Sequence, residues 1–105
     1  SRGVSLIYPK DIIRVSADNN YVSLHFTSSS VLTVAKSIKD LELRLEPMGF
    51  FRIHKSHLIN LQHLDRYSND DGGLVVMNDQ SRLPVSKRRL NAFLQCLEAF
   101  SISLR

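Results

Sequence analysis

The sequence predicts a mainly β fold with short helices, and three observations carry that expectation. Short apolar runs recur along the chain, separated by clusters of turn-forming residues such as Asp18-Asn19-Asn20, Ser68 to Gly73 (SNDDGG) and Asn78-Asp79-Gln80. Tyr21 to Phe26 alternates strictly, with Val22, Leu24 and Phe26 on one side and Tyr21, Ser23 and His25 on the other. Helical spacing of apolar residues occurs in only two places, one inserted between strands and one at the C-terminal end. The order of elements lacks regular βαβ alternation, which argues against a parallel doubly wound sheet.

Val4 to Tyr8 reads as a truncated or edge strand, and Pro9-Lys10-Asp11 as a turn. Ile12 to Ala17 and Tyr21 to Phe26 read as two strands joined by a short Asp-Asn-Asn loop, a hairpin. Thr27 to Ser30 is a turn and Val31 to Val34 a strand. Ser37 suits a helix cap, followed by Ile38, Leu41 and Leu45 at helical spacing, with Pro47 and Gly49 as terminators. His63 to Tyr67, Leu74 to Met77 and Arg82 to Val85 read as further strands. Ser86 suits a second cap, and Leu90, Phe93, Leu94, Leu97 and Phe100 form an apolar stripe suited to core packing.

A chain of 105 residues with 43% apolar content supports one domain over residues 1–105, with one core. No stretch of about 18 apolar residues is present and the first residues lack the apolar middle of a signal peptide. A lone cysteine, Cys96, fits a reducing cytoplasm. The formal charge is +4, and its distribution matters more than its total. Arg52 to His57 and Arg82 to Arg89 carry positive charge and no acid, while acids gather around Asp40 to Glu46, Asp65 and Asp70-Asp71. Segregation of this kind points to a polyanion, against the simpler reading of solvated surface lysine and arginine.

The stretch Phe50 to Leu64, FFRIHKSHLINLQHL, places a basic cluster inside one of the most apolar segments. Phe50 to Ile53 and Leu58 to Leu64 suit the core, so His54 to His57 is expected as an exposed turn held at both ends. His54 and His57 alone fall short of the three or four ligands of a zinc site, and no metal or cofactor is expected. Ser56 and Cys96 lack an oriented base, nucleophile-elbow glycines or a phosphate-cradling loop, so catalysis is not expected. Asp18-Asn19-Asn20, His54-Lys55-Ser56-His57 and Ser86-Lys87-Arg88-Arg89 supply the donors that phosphate and base edges need. Few aromatics accompany them, which favours duplex DNA over single-stranded RNA.

Asp11-Ile12-Ile13 with Asn20-Tyr21-Val22, then Phe51-Arg52-Ile53-His54-Lys55-Ser56-His57-Leu58-Ile59-Asn60, then Leu83-Pro84-Val85-Ser86-Lys87-Arg88, resemble the LytTR DNA-binding domain of bacterial response regulators. The resemblance covers nearly the whole chain in order, and Ser1 to Tyr8 matches least, so the family's first strand is expected to be incomplete. It implies an elongated array of small antiparallel sheets with no recognition helix, whose loops enter successive major grooves. It also implies tandem promoter sites, pairing of two copies on DNA, a receiver or sensor domain elsewhere, and no membrane contact by this domain. Carried over by position, the base-reading candidates are Asn20, Lys55 and Lys87. Asn20 would suit adenine, and Lys87 guanine O6 or N7. Arg52, His54, Ser56, His57, Asn60, Ser86, Arg88 and Arg89 are candidates for phosphate contacts or loop braces. Asn20 also has a conformational reading, left-handed backbone for the hairpin, and Ser86 has the reading of a helix cap. The alternative function is a β-rich protein-interaction or sensory module that binds an acidic partner.

Overall fold

Alternating apolar positions and turn residues with positive φ set the strand pattern. A computed structural model describes residues 3 and 5–101 of the chain. Strands β1 (Ile12–Asp18) and β2 (Tyr21–Phe26) form the expected hairpin, and β3 (Val31–Val34) adds to β2. Helix α1 (Ile38–Leu45) follows, capped by Ser37 Oγ, which accepts from the Asp40 N–H at 3.1 Å. A 3₁₀ turn over Glu46–Met48 ends at Gly49, whose φ of 93° lies in the left-handed region that glycine adopts freely. The expected break in Phe50 to Leu64 gives β4 (Phe50–His54) and β5 (His57–Asn60). Strands β6 (Leu64–Ser68), β7 (Leu74–Met77) and β8 (Arg82–Pro84) lead to helix α2 (Lys87–Phe100).

All strand pairs are antiparallel. They build a five-stranded sheet in the order β3-β2-β1-β5-β4 and a three-stranded sheet in the order β6-β7-β8. The extents, 51 × 27 × 24 Å, describe an elongated body. It holds two cores rather than the one expected. Ile12, Val15, Val22, Leu24, Phe50 and Leu58 pack with Ile38 and Leu45 of α1. Ile13, Ile53, Ile59, Val75, Met77 and Leu83 pack around Phe93 of α2. Ile12 and Ile13 reach different cores by ordinary strand alternation, and the register shift between Ile12 and Arg14 inserts one extra residue, so that Ile12 and Val15, three positions apart, face the same core.

Two expectations need correction here. Residues 5–8 carry no regular structure, and Val4 lies outside the described residues. Leu6, Ile7 and Tyr8 are exposed, and Pro9 opens a 3₁₀ turn over Pro9–Asp11 that redirects the chain before a ladder could form. The stripe on α2 is also shorter than its spacing suggests. Phe93 is fully buried and Leu90, Leu94 and Leu97 are partly buried against it, but Phe100 is exposed.

Candidate nucleic-acid interface

The register of the large sheet decides which loops share an end. Strand β1 runs into the Asn19–Asn20 turn, with Asp18 opposite Tyr21. Strand β5 is antiparallel to β1 with Ser16 opposite His57, so the β4–β5 turn lies beside the end of β1. The Ala17 N–H donates to the Ser56 carbonyl at 3.0 Å and ties the two turns together. The Ser86 N–H donates to the Ile53 carbonyl at 2.8 Å, which ties the start of α2 to the same end through β4. Three polar clusters that are far apart in the chain are thereby gathered at one end of one sheet. Asn20, Lys55 and Lys87 are all exposed there, as is Arg88.

The central turn is narrower than expected. Lys55 and Ser56 alone form it, while His54 and His57 are paired strand ends, half-buried, with ring centroids 5.2 Å apart. Three bonds hold the turn. His54 Nδ1 accepts from the Ser56 N–H at 3.1 Å, the Ser56 carbonyl accepts from Ala17, and an Arg52 guanidinium nitrogen donates to the Lys55 carbonyl. The other guanidinium terminus donates to Glu42 Oε1 of α1 at 3.1 Å. Both guanidinium termini of Arg52 are thus engaged within the chain, and its Nε is buried with no partner among the described residues.

Other candidates are placed differently from their sequence readings. Asn60 is buried, 1% exposed, and its amide is used up on backbone. It donates to the Pro9 and Ile12 carbonyls at 3.2 and 3.0 Å and accepts from the Gln62 N–H. A side chain so enclosed reaches no phosphate, so its role is a brace between β5 and the entry to β1. Ser86 occupies the cap position of α2, but its Oγ makes no cap bond and is buried without a partner among the described residues. The left-handed residue of the first hairpin is Asn19, with φ of 56°, and not Asn20. That removes the conformational reading of Asn20 and leaves its amide exposed at the tip.

Burial holds the His57 imidazole neutral. Its pKa is pushed down to about 4, by desolvation first and then by the charges of His54, Arg14 and His25. A neutral imidazole with a buried Nδ1 is a poor phosphate ligand, so His57 belongs to the sheet and not to the polar row. Arg89 has its pKa lowered by desolvation and then by the neighbouring Arg52 and Arg88 charges, with Glu42 opposing. Arg52, Arg89 and Glu42 line one cleft, so Arg89 stands near a second guanidinium and one carboxylate. No sequence spacing points to Glu42, because it lies ten positions from Arg52 on another element.

The antiparallel two-sheet fold with two helices agrees with the comparisons. The family model of the LytTr DNA-binding domain matches residues 2–98. The chain belongs to the LytTr DNA-binding domain family. A LytTr DNA-binding domain of a methyl-accepting/DNA response regulator from Bacillus cereus has the same fold, with a TM-score of 0.79 at 22% identity, covering 87% of this chain and 84% of that one. The heme-containing CO-sensing transcriptional regulator RcoM 1 of Paraburkholderia xenovorans is 35% identical over 82% of this chain and 33% of its own length. The sensory transduction protein LytT of Oceanobacillus iheyensis is 27% identical over 89% of this chain and 39% of its own. The LytTr chain described here spans about a third of the length of these curated relatives. Among its described residues no helix is long and apolar enough to cross a membrane.

Proposed function

We propose that this LytTr domain is the sequence-specific, duplex-DNA-binding output module of a bacterial transcriptional regulator acting in the cytoplasm. Asn20, Lys55 and Lys87 read base edges in successive major grooves, each from one of the three gathered loops. The observation that carries this reading is the pair of backbone bonds, Ala17 to Ser56 and Ser86 to Ile53, that brings three separated loops to one end of the large sheet. A side chain pays less entropy on binding when its backbone is already fixed, which favours such loops as readers. Arg88 and Arg89 contact phosphates, and the Ser56 hydroxyl assists at the central turn. Arg52, His54 and Asn60 act as braces. A receiver or sensor segment elsewhere in the full-length protein controls the module, and two copies occupy tandem promoter sites.

Selection of bound duplexes from a random library, followed by titration at two salt concentrations against an unrelated duplex, tests the reading. Lys87→Ala is expected to weaken the selected duplex by about 1–3 kcal/mol and to relax preference at one base pair. Equal loss on selected and unrelated DNA would remove its base-reading role. An absence of sequence discrimination at any salt would favour a module that docks an acidic protein partner.

A further inference from the structure

Glu42 is an acid set beside the cationic row that the proposed function assigns to DNA. It pairs with Arg52, and with Arg52 and Arg89 it lines a cleft between α1 and α2. A carboxylate beside a polyanion-binding row repels the polyanion. Its geometry shows what it does instead. Glu42 Oε1 accepts from one terminus of Arg52 while the other terminus of the same guanidinium donates to the Lys55 carbonyl. The guanidinium is planar and rigid, so fixing one terminus fixes the direction of the other. Both side chains are mostly screened from water, at 24% and 15% exposure.

We propose that Glu42 is a positioning residue for sequence reading: it holds Arg52 on the Lys55 carbonyl and away from DNA phosphates, so that the chain gains specificity and gives up non-specific affinity. The proposal rests on the reading of the Lys55 turn as a base contact. Without Glu42, Arg52 is one more free cation near the DNA. The turn then loses its fixed carbonyl, and the Lys55 side chain samples more directions.

The test uses the whole chain, the duplex selected from a random library, and a scrambled duplex of equal length and composition. Glu42→Ala is expected to lower affinity for the selected duplex by about tenfold, the scale of one charge-assisted hydrogen bond. Affinity for the scrambled duplex stays level or rises, because an acid has been removed. Glu42→Gln, which keeps an acceptor, falls between Glu42→Ala and the parent. In the free protein, amide exchange at Lys55 and Ser56 speeds up in Glu42→Ala while thermal stability changes little. A parallel fall on both duplexes, or unchanged amide exchange at the turn, would overturn the proposal. Lys55→Ala separates the two ideas in the same assay. If it costs nothing on the selected duplex, the reading of the turn fails and the positioning role with it. If it costs affinity while Glu42→Ala does not, only the positioning role fails.

Discussion

The first and central turns stand side by side on the large sheet, yet they are built to different degrees of rigidity. The Asn19–Asn20 turn is held by its hairpin pairing and by the left-handed backbone of Asn19, and Asp18, Asn19, Asn20 and Tyr21 are all exposed. The Lys55–Ser56 turn rises from Ile53 and Leu58, both fully buried, and is tied down by His54, Arg52 and Ala17. Under the proposed function, the contrast would let one surface combine a fixed donor with an adaptable one. A fixed donor selects by geometry, whereas an adaptable donor can follow the groove at some cost in ordering.

The strongest way to break this comparison is to remove the foundation of the central turn. Leu58→Ala is expected to cost about 2–5 kcal/mol of folding stability by denaturant titration, from lost burial plus the cavity left behind. A loss below that range would mean the turn does not depend on its strands for rigidity.

Arg52→Ala acts next. Loss of its charge-assisted bonds is expected to weaken the selected duplex by about 1.5–3 kcal/mol, with the salt slope unchanged. A slope smaller by about one would instead make Arg52 a phosphate ligand and erase the bracing role.

A change of pH sharpens the comparison further, because His57, whose pKa is pushed down to about 4, stands directly under the central turn, whereas half-buried His25, also lowered, lies on β2 away from the first turn. The folded pKa of His57, about 4, lies below its ordinary 6.5. Between those values the unfolded chain binds more protons than the folded one, so stability is full above pH 6.5 and falls as pH drops toward 4. The loss is expected to be about 1 kcal/mol after discounting for solvent screening of a half-exposed group. His57→Gln should flatten that part of the stability profile, and an unchanged profile would assign the acid sensitivity to other groups.

The smallest effect belongs to the first turn. Tyr21→Ala removes a side chain that is 55% exposed and is expected to change stability by no more than about 0.5 kcal/mol. A larger loss would show that the first turn is anchored as firmly as its neighbour.

Most of the strands and both helices were legible in the sequence, because period-2 and period-3.6 patterns and turn residues act locally. Ser37, Pro47 and Gly49 bounded α1 where their chemistry predicts, and the basic break in Phe50 to Leu64 fell between two apolar anchors. The family and the three polar loops were legible as well, since Arg52-Ile53-His54-Lys55-Ser56-His57 and Pro84-Val85-Ser86-Lys87 are contiguous. What each side chain does within those loops was not. Asn60 and Arg52 carry ordinary surface-polar identities, and only the approach of Pro9, Ile12, Glu42 and Lys55 engages them within the chain. Ser86 has the right identity for a cap, but its hydroxyl makes no cap bond. The division follows from range. Hydrophobic period and turn preference are written within a few neighbours, whereas hydrogen bonds and burial depend on residues ten to fifty positions away that meet only when the sheets assemble.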